Sequence, residues 1–328
     1  MEPFDPLFRN PHLQTIAGHY WRRPRDLDRF PRDSRLYRTE PGVQVLVVSQ
    51  RPAGPAIGEI VMVHGLEGSA DAGYMQSLSL AALRAGFAAH RFNMRTCGGT
   101  ERLCPTLYHA GLTSDLLAVL REFRAEGRPP AFLVGFSLGG NVVLKLAGEM
   151  GEGAWPLFRG VATVSTPLDL HACAVQIAEP QNRIYHRRFV RRMRDRLCAT
   201  GQYEERQFAG LDSVMAIDDR ITAPSFGLGD AANYYRTQSA LRFLDGIRVP
   251  TLLVQAQDDT FIPFRVYRSE ALRSNPRIEL LVTRYGGHLG FIGRQPHRFW
   301  ADRAIMEWVV GQSTNRPPSC SYSETSGE

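Results

Sequence analysis

Short apolar runs that alternate with stretches of helical periodicity constrain this chain more than any other feature. The runs are Val43–Val48, Glu59–Val63, Phe87–Phe92, Ala131–Gly135, Gly160–Ser165, Thr251–Gln255 and Ile278–Thr283. Each is rich in β-branched or aromatic side chains and bounded by Gly, Pro or polar residues, which marks a strand. Between them, Leu112–Phe123 carries Leu116, Leu117 and Leu120 on one face, and Leu138–Met150 is a second helical stretch. Alternation of this kind predicts an α/β fold: a mostly parallel sheet with helices on both faces.

The rhythm breaks once. Between Pro167 and Pro250 there are helical patterns but no convincing strand, over a length too great for a plain crossover. This predicts a helical cap over residues 168–249, inserted after the sixth strand of a core formed by residues 36–167 and 250–310. Residues 1–35, rich in Arg and Pro, are expected to pack across the surface. The polar, Pro/Ser-rich stretch 311–328 is expected to be a disordered tail.

The formal charge of +6 is modest and largely arginine, gathered at Arg22–Arg38 and Arg183–Arg196. No nucleic-acid-binding motif accompanies it, so no nucleic-acid partner is expected. The seven arginines from Arg183 to Arg196 read as a solvated helix face of the cap, the alternative being contact with lipid head groups or an acidic substrate. The five cysteines are odd in number and lack C-x-x-C spacing, which argues against a disulfide framework or a zinc site. No apolar run has the length of a membrane span, and the N-terminal residues lack the apolar core of a secretory signal. A cytoplasmic protein is expected. Nothing in the sequence speaks to oligomeric state.

The chemistry is carried by Gly135-Phe136-Ser137-Leu138-Gly139, a G-x-S-x-G pentapeptide. Its composition is common, but it follows a strand and opens a helix, the placement of a nucleophile elbow. Small flanking residues are needed because the serine sits in a strained turn. A hydroxyl needs a base to take its proton. Only His288 and His297 follow all the strands, and His288 lies in a glycine-flanked loop directly after the last one. His288 is therefore the candidate base. The acid belongs on the loop after Thr251–Gln255, where Asp258 and Asp259 compete. Elbow hydrolases commonly place the acid three residues after a small residue and four before a proline. Ala256, Asp259 and Pro263 fit that register, leaving Asp258 to cap the loop or meet the cap. The oxyanion would be held by the backbone N–H groups of Leu138 and of Leu66, the latter in the turn His64-Gly65-Leu66-Glu67-Gly68-Ser69. His64 itself reads as a buried histidine holding that turn. No cofactor is called for, and no Cys/His or carboxylate cluster has metal spacing.

Several segments together resemble the YheT-like esterases of the α/β-hydrolase superfamily. They are Pro11–Ile16, His64–Ser69, Asn93–Gly98, Tyr108–Gly111, Gly135–Asn141, Ile217–Asp219 with Thr222–Pro224, Asn233–Tyr235, Asp258–Asp259 and Gly286–Phe291. The resemblance implies an α/β-hydrolase fold with an eight-stranded sheet, and a carboxylic-ester hydrolase acting on short- to medium-chain acyl esters. It implies a Ser-Asp-His triad at Ser137, Asp259 and His288, and a small-molecule ester as substrate. Thr96 departs from the pattern, where relatives usually have Gly. Eukaryotic members often carry a membrane anchor and act on lipid esters; the anchor is not expected here, peripheral lipid contact remains compatible, and the lipid specificity is not carried over. Rival readings are an acyltransferase using an alcohol acceptor with the same triad, and a binding protein that kept the fold without turnover.

Overall fold

A computed structural model of the chain describes residues 2–23, 26–294, 296 and 298–314. Eight strands form one sheet: β1 (Arg32–Glu40), β2 (Val43–Gln50), β3 (Glu59–Val63), β4 (Ala88–Phe92), β5 (Ala131–Phe136), β6 (Phe158–Val164), β7 (Thr251–Ala256) and β8 (Ile278–Thr283). The helices are α1 (Pro11–Tyr20), α2 (Gly73–Arg84), α3 (Ser114–Ala125), α4 (Leu138–Met150), α5 (Leu170–Ala178), α6 (Arg183–Ala199), α7 (Val214–Ile217), α8 (Ala223–Ser225), α9 (Ala231–Gln238), α10 (Glu270–Ser274) and α11 (Trp300–Thr314).

The strand order is β1-β2-β4-β3-β5-β6-β7-β8. β1 and β2 are antiparallel to their neighbours, and β3 to β8 run parallel. Alternate residues feed opposite faces. Ile60 and Met62 of β3 join Leu78 of α2 and Ile305 of α11 in one core. Val61 and Val63 join Leu116 of α3 and Val142 of α4 in the other. The direction of winding reverses between β3 and β5, so the crevice beyond their carboxyl ends is where such a sheet binds ligands.

Two expectations need correction. Residues 32–35, read as part of an N-terminal surface segment, open β1. This strand was not among the apolar runs because it is a charged edge strand, in which only Tyr37 is buried. Residues 311–314, read as the start of a disordered tail, are the last turn of α11. The remainder of that tail, 315–328, and His297 lie outside the described residues. Between β6 and β7, α5 to α9 and intervening turns form no strand among the described residues.

Candidate active site

The elbow is built by close backbone packing. Ser137 has φ 51° and ψ −122°, a strained conformation between β5 and α4. A Cβ at Gly135 would stand 2.5 Å from the Gly139 carbonyl oxygen, and one at Gly139 would stand 2.3 Å from that of Val63. No side chain fits at either position. Among the described residues, the other non-glycine positions with positive φ are Glu67, Thr96, Ser165, Leu289 and Phe291, all in turns beyond the carboxyl ends of strands. Strain is thus concentrated at one rim of the sheet.

The structure brings Ser137, His288 and Asp259 into line. His288 Nε2 lies 3.0 Å from Ser137 Oγ, and Nδ1 lies 3.0 Å from Asp259 Oδ2. A carboxylate can only accept, so Nδ1 carries the proton and Nε2 faces the hydroxyl as acceptor. Asp259 is buried, and its Oδ1 accepts from the N–H groups of Phe261 (2.9 Å) and Ile262 (3.1 Å). Such bonds hold the carboxylate in a fixed orientation. Asp258 plays a separate part. Its Oδ1 accepts from Gly287 N–H at 2.9 Å, so it caps the histidine loop rather than facing the ring. Burial pushes its carboxyl up, against the Gly287 bond and with Asp259 adding to the rise.

The turn bearing Leu66 lies against the elbow: a Cβ at Gly65 would be 3.1 Å from Ser137 Cβ. Leu138 is the first residue of α4, whose first N–H groups have no carbonyl within the helix to bond. Both residues line the space around Ser137. His64 is fully buried. Its Nδ1 donates to Gly65 O at 2.8 Å and its Nε2 accepts from Met94 N–H at 3.2 Å. Burial lowers it to about 4, so it stays a neutral strut for the turn.

Residues outside the five site positions also hold the site. Thr15 of α1 accepts from His288 N–H at 2.9 Å and donates to Pro11 O. The Gln14 amide donates to Phe8 O and Ile292 O and accepts from Ile292 N–H. Gly287 (φ 57°) is pressed so closely on α1 that a Cβ would stand 2.4 Å from Pro11 O. The segment Pro11–Ile16 therefore braces the histidine loop. Its presence among the resembling motifs was the available signal, because a pairing between main chain and a buried amide leaves no periodicity. The Asn233–Tyr235 and Ile217–Asp219 motifs are also bracing. Tyr234 OH accepts from Ala110 N–H, and Tyr235 OH donates to Asp218 Oδ2.

Two spaces meet at Ser137 and His288. The outer one is a cleft of about 640 Å³ between α1 and α6, bordered by His19, Tyr20, Arg188, Arg192 and Asp195. The inner one is a cavity of about 110 Å³ walled by Leu138, Leu170, Ala174, Ile177, Met193 and Val214. Its deeper polar groups feel their burial. His109 is lowered to about 3 by burial, helped by Lys145 and Arg95. Asp218 is raised to about 6 by burial, against bonds from Tyr235 and Thr222. The arginines of α6 do not form one solvated face: Arg196 is largely withdrawn from water against Glu67, and Arg194 donates to Leu211 O. Thr96, the departure from the resemblance, has φ 58°, which explains the usual Gly there.

Among the described residues, no three His, Cys, Asp or Glu are grouped to hold a metal, and no helix is long and apolar enough to cross a membrane. An alpha/beta hydrolase family model matches residues 60–302. YheT of Escherichia coli (strain K12), assigned by name to the esterases, is 33% identical over 315 residues, spanning 92% of this chain and 91% of that one. Phospholipase ABHD3 of Mus musculus is 29% identical over 311 residues, 92% of this chain and 71% of its own length. Among solved structures, the Pyrococcus furiosus esterase Pf2001 superposes with a TM-score of 0.60 at 18% identity, covering 89% of this chain and 94% of that one. By the family model and the relation to YheT, this chain belongs to the alpha/beta hydrolase family.

Proposed function

We propose that this protein is a serine hydrolase of carboxylic esters, with Ser137 as nucleophile, His288 as general base and Asp259 as the carboxylate that orients it. The observation that carries the reading is the unbroken chain from Asp259 Oδ2 through His288 to Ser137 Oγ, each link 3.0 Å. Ser137 attacks the ester carbonyl as its proton passes to Nε2. The oxyanion lies between the N–H groups of Leu66 and Leu138. His288 returns the proton to the leaving alcohol, and a water deprotonated by the same ring releases the acid from Ser137. Asp259 stabilises the imidazolium formed in each half. These steps use only groups of this chain and water.

The helical segment 168–249 acts as a cap that shapes the acyl side. The inner cavity takes a short- to medium-chain acyl group, and the outer cleft takes the alcohol part and admits water. The names of YheT, an esterase, and ABHD3, a phospholipase, support ester chemistry in general. The test is hydrolysis of p-nitrophenyl esters from acetate to dodecanoate, with Ser137→Ala in parallel. A rate that peaks at one acyl length and disappears in the variant is expected. Equal rates in the two proteins, or no turnover of any ester by the folded wild type, would overturn the proposal.

A further inference from the structure

The last arginine of the arginine-rich helix is largely withdrawn from water. Arg196 Nε donates to both oxygens of Glu67, at 2.9 and 3.0 Å, and Nη1 donates to Thr96 Oγ1 at 2.9 Å. Its guanidinium also stacks 4.6 Å from the Tyr108 ring centroid. The pair is out of solvent, with side chains 10% and 4% exposed. Glu67 is the residue after Leu66 in the turn beside Ser137, held at φ 54°. Its own N–H donates to Tyr108 OH at 3.1 Å, and that hydroxyl donates back to the Glu67 carboxylate at 3.1 Å. Main chain and side chain of one turn residue are thereby tied to a single tyrosine, and the tyrosine and carboxylate to one cap arginine.

We propose that Arg196 is a positioning residue: from the cap helix α6 it clamps Glu67 and so fixes the Leu66 N–H in place beside Ser137. This rests on the ester-hydrolase reading above. A buried carboxylate deprived of its cation is strongly disfavoured and must reach water or take a proton. Glu67 borders the outer cleft, and turning its carboxylate toward water there breaks the bond from the same Tyr108 hydroxyl that anchors the turn's N–H, so the turn loosens. The turn that moves is the one that carries the oxyanion donor. Arg196 also borders both the outer cleft and the inner cavity, so the clamp lies where substrate on either side presses on the cap. A cap displaced by a poorly fitting ester would release the donor. Thr96 belongs to the same device, since its hydroxyl accepts the remaining Nη1 bond where a glycine has none to give.

The test compares Arg196→Met, Arg196→Lys and the double variant Glu67→Gln/Arg196→Met with wild type, using Arg191→Met on the exposed side of α6 as control. Two readouts are taken on the full chain: steady-state ester kinetics, and amide hydrogen exchange of the peptide spanning residues 64–69. For Arg196→Met, kcat should fall about 10- to 100-fold, less than for outright loss of an oxyanion donor, with KM changed by no more than about threefold. Exchange in the turn should quicken at least about tenfold. The double variant, which leaves no unpaired charge, should recover part of kcat. Arg196→Lys should retain part of both signals, and it carries the test should Arg196→Met fail to fold. Unchanged exchange and kcat in the folded variants would overturn the proposal, as would a rise confined to KM, which marks a mere pocket wall. A wild type without ester turnover would refute the proposed function, while the exchange readout would still decide the role of Arg196.

Discussion

The outer cleft and the inner cavity share Ser137, His288, Leu66, Phe189, Arg196 and Phe261 but differ in size and in the rest of their lining. The cleft is the larger and is bordered by charged side chains; the cavity is small and walled mostly by aliphatic and aromatic ones. Helix α6 divides them, and neighbouring residues serve opposite sides: Arg192 borders the cleft and Met193 the cavity. Helical geometry alone sends adjacent side chains to different faces in this way. The difference teaches that reactivity and selectivity have separate sources here. On the proposed reading, the loops of the sheet supply the reacting groups common to both spaces, while the segment between β6 and β7 walls much of the cavity and one side of the cleft.

The strongest way to break this division is to remove a shared group. Ser137→Ala or His288→Ala should lower kcat on the order of 10⁶-fold for every ester, whichever side is varied, with little change in melting temperature. Next comes the pair of aspartates. Asp259→Asn should cost about 10⁴-fold in kcat by favouring the wrong histidine tautomer. Asp258→Asn keeps an acceptor for Gly287 N–H and should cost less than about tenfold. The reverse order in the two rates would move the acid to Asp258.

A third test sharpens the contrast in polarity. Burial raises Asp218, on the cavity side, to about 6, above its ordinary value of 3.8. The folded state therefore binds its proton more tightly than the unfolded chain does. Stability should be greatest below the unfolded value and should fall as pH rises through about 4 to 6, by at most about 3 kcal/mol from this group. Urea unfolding at pH 4.5 and 7.5 should show a smaller loss in Asp218→Asn. Buried Asp302 is raised to the same extent and keeps its own contribution in that variant. An identical loss in both proteins would place the Asp218 carboxyl in water. The smallest effect concerns shape. Ala174→Leu fills the cavity and should lower kcat/KM for butyrate relative to acetate esters by about tenfold, leaving alcohol preference unchanged.

The same division governs what could be read from residues alone. The inner parallel strands are near-continuous apolar runs, buried on both faces, and β3 and the half-buried edge strand β8 were legible to their end residues. β1 was not, because an edge strand reading RDSRLYRTE buries only Tyr37 and shows no apolar alternation. Ser137, Asp259 and His288 were legible because each follows its strand in chain order and carries a local register. The Arg196–Glu67 clamp was not, since it joins residues 129 positions apart across two elements, and a run of seven arginines reads more simply as a solvated face. Thr15 escaped for a similar reason: one hydroxyl bonding one backbone N–H of a distant loop leaves no pattern in sequence.

The most direct measurement is the intact mass and peptide map of the protein after exposure to a fluorophosphonate. One adduct, located on Ser137, lost in Ser137→Ala and formed far more slowly in His288→Ala, is the predicted result. No adduct on folded protein, or an adduct on another residue that persists in Ser137→Ala, would contradict the account.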